Sequence, residues 1–186
     1  VGGLYELTAE LLTFGLRGVS PSEGGQGGRV TVRIEGALLG PDTTASLTAG
    51  ATRRTAEKAY WFNPATVYAT FDLTGLALGS YDLEAQSAGQ TAALEGAFAV
   101  VDPIPGFLDV HLSAQESVRD FGSGFLSISY RNQGNTDVPS PLLEVHAEGA
   151  LLAVPEESSV HTTTVQLLAI NSAGPAGILP PGSDNV

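Results

Sequence analysis

The residues able to do chemistry are few. Histidine occurs three times, as His111, His146 and His161, and cysteine is absent. No two histidines stand at i, i+2 or i, i+4, the spacings that bring two imidazoles to one metal. His146 alternates outward from Leu143 and Val145 and reads as a solvent-facing strand residue. His111 lies between Val110 and Leu112, with Asp109 nearby. Serine nucleophile signatures fail, because neither G-x-S-x-G nor S-x-x-K occurs. Ser123, between Gly122 and Gly124, has the surroundings of a hairpin turn. The glycine-rich run Ser22–Gly28 (SEGGQGG) has no lysine after it and carries Glu23, which repels phosphate. A phosphate loop needs Gly-Lys-Ser/Thr at the start of a helix, so this run reads as a flexible turn. No catalytic residue is assigned, and the chain is expected not to be an enzyme.

Two clusters remain as candidate sites. Asn132, Asn135 and Asp137 share one loop, and Asp102 and Asp109 flank a nearby linker. Calcium takes six to eight oxygens, so the three loop residues are candidate calcium ligands, although they do not follow EF-hand order. The same residue types also build turns by bonding their own backbone. Beyond this calcium candidate no cofactor is expected. The second cluster is Tyr60-Trp61-Phe62, the densest group of aromatics. On a strand Trp61 faces one way and Tyr60 and Phe62 the other. Trp61 as the buried core residue of a sandwich is the default. An exposed aromatic stacking on sugar is the alternative, which makes Tyr60, Trp61 and Phe62 candidate ligand-binding residues. Lys58, the sole lysine, sits in a polar segment, which argues against an isopeptide partner.

These residues must be positioned by a chain of 186 residues with 20 acidic and 8 basic side chains, a net charge of −12. Such acidity argues against nucleic acid, which requires a basic footprint. An apolar fraction of 42% is too high for a disordered acidic chain. No apolar run approaches the ~20 residues that cross a bilayer, so no membrane insertion is expected. With Val1 in first place, the chain reads as a fragment or a processed product.

The hydrophobic period is two nearly everywhere. Val30, Val32 and Ile34 alternate with polar residues, as do Val67, Ala69, Phe71 and Leu73, then Tyr81, Leu83 and Ala85. Leu126, Ile128 and Tyr130 repeat the pattern, and Leu143, Val145 and Ala147 follow it. Each run buries one face of a strand and wets the other. Turn formers separate them, among them Gly40-Pro41-Asp42 and Pro180-Pro181-Gly182. Thr52–Tyr60 reads as an exposed strand or loop. The pattern predicts an all-β chain of antiparallel sandwiches. Pro103-Ile104-Pro105-Gly106 marks a boundary, since neither proline can donate to a ladder.

Ser20-Pro21, the glycines Gly24–Gly28, the strand Val30–Ile34 with Gly36, and Gly79-Ser80-Tyr81-Asp82-Leu83 together resemble an IPT/TIG domain, an immunoglobulin-like fold. The resemblance covers residues 16–102. Ser129–Asp137, Pro139, Leu142–Val145 and the late run Gly177–Gly182 are similar to CARDB-type bacterial surface repeats, over residues 107–186. That pattern implies an extended strand after the Pro-Gly turn, so the second domain is expected to be incomplete at its C-terminal end. Residues 1–15 read as a strand from, or next to, a preceding domain, with Leu4–Ala9 paired to an open sheet edge. Residues 103–106 form the linker that sets the inter-domain angle.

The expected architecture is therefore two immunoglobulin-like antiparallel β-sandwiches in tandem. The expected role is a non-catalytic structural or adhesive module of a large extracellular bacterial surface or secreted protein, acting as a spacer or stalk. The alternative is a carbohydrate- or protein-binding accessory module beside a secreted enzyme. The partners this implies are neighbouring domains of the same chain and a glycan or surface protein.

Overall fold

A computed structural model describes residues 11–115, 122–154, 159–172 and 174–185. The strand expected at Leu4–Ala9 lies outside the described residues. Among the described residues every regular element is a β-strand. The first nine are β1 (Gly15–Ser20), β2 (Glu23–Gly25), β3 (Arg29–Ala37), β4 (Thr44–Ala49), β5 (Thr52–Thr55), β6 (Lys58–Asn63), β7 (Thr66–Asp72), β8 (Gly79–Ser87) and β9 (Gln90–Val101). They form two sheets, one in the order β1-β3-β7-β6 and one in the order β2-β9-β8-β4-β5.

The period-two pattern decides which faces meet. Val30, Val32 and Ile34 of β3 and Val67, Ala69 and Phe71 of β7 point to one side, and all are fully buried. All but Val67 form one cluster with Ala45 and Leu47 of β4, Tyr81 and Leu83 of β8, and Phe98 and Val100 of β9. The two sheets are thus layered face to face around one core. Burying each large side chain contributes roughly 1.5–3 kcal/mol.

One ladder departs from antiparallel order. β2 pairs with β9 in parallel, with Glu23 opposite Ala99 and Gly25 opposite Val101. Of the glycine run read as a flexible turn, Glu23–Gly25 are a packed strand, and Gln26–Gly27 keep the turn. A Cβ on Gly24 would meet Val30, Leu73 and Phe98, and one on Gly28 would meet Thr136. Only Gly27 takes a positive φ, in the turn that leads to β3.

The later strands are β10 (Leu108–Ala114), β11 (Leu126–Asn132), β12 (Val138–Pro139), β13 (Leu142–His146), β14 (Thr164–Leu168), β15 (Ile178–Leu179) and β16 (Asp184–Asn185). They make three small sheets: β10-β11-β16, β12-β15 and β13-β14. The alternation holds, with Val110, Leu112, Leu126, Ile128 and Tyr130 on one face of the β10–β11 ladder. Burial is thin, however. Among the described residues of this part, Ala169 and Leu179 are the buried hydrophobic side chains, while Leu112, Phe125, Leu142 and Leu168 are exposed. Tyr130 ties β11 to the segment that follows β14, its hydroxyl donating to the Ile170 carbonyl at 2.6 Å and accepting from the Ile170 N–H at 3.0 Å.

Candidate functional site

The aromatic triplet is split by its strand. Tyr60 stands opposite Tyr68 and Trp61 opposite Val67, and the ladder then shifts register before Asn63. Trp61 therefore shares the core-facing side of the sheet, but β6 is the edge strand and the opposing sheet does not cover it. Its side chain is 44% exposed, with the indole N–H donating to the Leu39 carbonyl at 2.8 Å. The expectation that Trp61 is the buried core aromatic is thus corrected. Phe71, Phe98 and Tyr81 fill that place, because their strands are central. Tyr60 and Phe62 reach solvent at the outer side, and Phe62 meets Tyr68 edge to face with ring centroids 6.2 Å apart. Arg33 lies opposite Tyr68 in the ladder and pairs with Glu35 at 2.8 Å. The result is an aromatic strip beside an exposed ion pair.

The Asn132–Asp137 loop does something the sequence did not announce. Asn132 braces the loop from within and to Leu179, while Asn135, Thr136 and Asp137 bond the first sandwich and the linker. Asn132 is buried; its Oδ1 accepts from the Gly134 N–H at 3.0 Å, and its Nδ2 donates to the Thr136 carbonyl at 2.8 Å and the Leu179 carbonyl at 2.9 Å. Asn135 donates from Nδ2 to the Asp102 carbonyl at 2.8 Å and accepts at Oδ1 from the Ile104 N–H at 2.7 Å. Its own backbone N–H reaches the Ile104 carbonyl at 3.0 Å, and its carbonyl accepts from the Gly25 N–H at 2.8 Å. Thr136 Oγ1 accepts from the Gly106 N–H at 3.0 Å.

Asp137 completes the joint. Its N–H donates to the Arg29 carbonyl at 2.8 Å. Its two carboxylate oxygens accept from Thr31, one from the N–H at 2.8 Å and one from the hydroxyl at 2.7 Å. The Thr31 hydroxyl is also 2.7 Å from that of Thr70 on β7. Burial pushes the Asp137 carboxyl up to about 6, against the opposing pull of its bonds to Thr31. The site is possible because Gly25 and Gly28 have no side chains; a Cβ on Gly25 would meet Asn135 and Pro103. The three candidate calcium ligands are therefore in one loop, but their side-chain oxygens turn to separate backbone and hydroxyl donors. Among the described residues no group of three or more His, Cys, Asp or Glu side chains is placed to hold a metal ion.

The linker is likewise not a free hinge. Asp102, Ile104 and Gly106 are each bonded to the loop. The loop Asn132–Asp137 thus holds the segment that carries Pro103 and Pro105. The signal for this was present as a run of Asn and Asp, whose side chains bond backbone groups readily.

Two open clefts of about 380 Å³ border this region. One is lined by Pro21, Glu23, Arg131, Gln133 and Pro181, the other by Asp109, His111, Ser129 and Arg131. In the second, His111 and Ser129 are opposite each other in the ladder, with Asp109 two residues away. The imidazole, however, lies 3.3 Å from Asp109 and makes no hydrogen bond to Ser129. Asp109 also accepts from Gln133 at 2.7 Å. His146 is exposed and bonds Thr164 at 3.0 Å, and His161 is exposed. Compared with models of known protein families and with curated proteins, the chain matches none.

Proposed function

We propose that the chain is a non-catalytic spacer, a structural or adhesive module of an extracellular bacterial surface or secreted protein. In this reading residues 16–102 and 107–186 are consecutive immunoglobulin-like units, in line with their resemblance to IPT/TIG and CARDB-type domains. The observation that carries it is the joint. Hydrogen bonds from one six-residue loop run to β2, β3 and the linker, so the two units act as one stiff element. A spacer needs a fixed angle, and interfaces within a chain permit motion unless something ties them. The acidic surface keeps such elements from associating with one another. Backbone ¹⁵N relaxation tests this: both units should tumble with one correlation time. Two separate correlation times would refute the stiff spacer.

A second reading is supported by the exposed Tyr60 and Phe62. They are exposed rings of the kind on which sugars stack, with Phe62 resting edge to face on the buried Tyr68. Titration with bacterial and plant polysaccharides should then shift the ring signals of Tyr60 and Phe62 and leave Trp61 little changed. Unmoved ring signals would dismiss the glycan-binding reading.

A further inference from the structure

We propose that the outer side of β6 is a binding edge for an anionic glycan, in which Lys58 takes a sugar carboxylate and Tyr60 and Phe62 take the sugar rings beside it. The inference rests on the glycan-binding reading and names the class of sugar. Its basis is the order of side chains along one strand. Lys58 stands opposite Thr70, and Tyr60 stands opposite Tyr68. Thr70 is on the outer side, where its hydroxyl meets that of Thr31, so Lys58 and Tyr60 share that side. Phe62 joins them there, against Tyr68. Successive side chains on one face of a strand lie about 7 Å apart. One charge and two rings therefore follow each other in a line, and all three side chains are exposed. An extended chain of sugars can lie along such a line. β6 is also the end strand of its sheet, so the backbone groups on its free side are open to sugar hydroxyls.

The charge of this edge sets it apart. Thr52–Asn63 holds three basic residues, Arg53, Arg54 and Lys58, against one acid, Glu57, in a chain of 8 basic and 20 acidic side chains. Most of the cations nearby are already engaged. Arg53 is bound to Glu84 at 2.7 Å, and Arg54 donates to the Thr74 carbonyl at 2.9 Å. Glu57, beside Lys58, is held by Arg29 through two bonds of 2.7 and 3.2 Å. Arg33, in the row of Tyr68 and Tyr60, is paired with Glu35 at 2.8 Å. Among the described residues Lys58 has no ion-pair partner. A neutral sugar would meet its ammonium with ordinary hydrogen bonds, whereas a carboxylate would form charge-assisted ones, roughly twice as strong. A lone edge lysine also guards against strand pairing, but exposed rings on both sides of the next positions do not serve that purpose. The net charge of −12 opposes a polyanion from afar. At physiological salt the Debye length is about 8 Å, so at contact the nearest charge decides.

The test uses the full chain and three probes of matched length: oligogalacturonate, its methyl ester and oligoglutamate. The ring signals of Tyr60 and Phe62 are followed through each titration, in wild type, Lys58→Gln and Lys58→Arg. Lys58 is exposed, so both variants should keep the fold. Oligogalacturonate should shift both rings and saturate. Its methyl ester should bind wild type about tenfold more weakly, and Lys58→Gln should bind the acid about tenfold more weakly, while Lys58→Arg keeps the affinity. Oligoglutamate, which has the charge but no sugar ring, should leave the ring signals in place. Equal affinity for the acid and its ester, or an unchanged Lys58→Gln, would overturn the anionic class and leave the glycan reading standing. Silence toward both sugars would overturn the proposal together with that reading. An equal response to oligoglutamate would mean that the edge takes acidic polymers of any kind, and would overturn the sugar.

Discussion

The Thr31 hydroxyl lies 2.7 Å from Asp137 Oδ2, and the two stand 106 positions apart in the chain. Thr31 faces away from the sandwich core that its neighbours Val30 and Val32 fill, yet it is almost fully buried. The second part of the chain covers it. Thr31→Val keeps the shape and removes the hydroxyl, leaving an oxygen of Asp137 without its donor. We expect a loss of about 1–3 kcal/mol at the joint. Hydrogen exchange checks this: the Gly25 and Asp137 amides should exchange faster, while those of Val32 and Phe71 stay protected.

Gly134→Ala should open the same joint from the other side. A Cβ there would run into the backbone of Pro105 and Gly106, atoms that cannot swing away as a side-chain end can. The expected result is a second part that loosens while the first sandwich keeps its melting temperature. A melt followed by Tyr81 and Phe98 ring signals would register any loss in the first sandwich.

The two halves should differ in their response to large-to-small changes. Phe71→Ala empties a fully buried position and should cost about 3–5 kcal/mol. Leu112→Ala, at a position 61% exposed, should cost well under that. Urea unfolding of the two variants checks the contrast. Comparable losses would mean that the β10–β11 face is covered in solution.

Trp61 offers a related check. Trp61→Phe removes a hydrogen bond to the Leu39 carbonyl but no central core contact. The expected cost is about 1 kcal/mol, well below that of Phe71→Ala. In the wild type the indole should be open to a neutral quencher such as acrylamide.

Acid should weaken the first sandwich. Asp42 is held below the ordinary carboxylate range by the Ala88 N–H and the Ser87 hydroxyl, and Glu84 by Arg53. Asp72 is lowered by Thr74. Groups depressed in the folded state contribute stability above their ordinary values and lose it as pH falls through the folded ones. The sandwich should thus hold its stability from pH 7 to about 5 and weaken below about 4. Urea melts at pH 7, 5 and 3 provide the measurement.

How far the sequence carried this reading differs between its parts. The alternation of Val30–Ile34 and Val67–Leu73 pointed to the core directly, because central strands bury one whole face. The same rule misjudged Trp61: its side of the strand was right, but position at a sheet edge depends on topology, which periodicity does not encode. The glycines from Gly24 to Gly28 looked like freedom and are for the most part close approach, since the partner atoms at Asn135 and Thr136 come from about 110 residues away. Asn132, Asn135 and Asp137 were visible as a polar cluster. Their hydrogen-bond donors, at Thr31, Gly134 and Ile104, become apparent only when the chain is folded.

We propose that the two units form one stiff spacer. The chain has no cysteine, so Thr91→Cys and Ser127→Cys place one spin label on β9 and one on β11. Electron–electron resonance distances between them should give a single narrow distribution. A broad or two-peaked distribution would contradict the account.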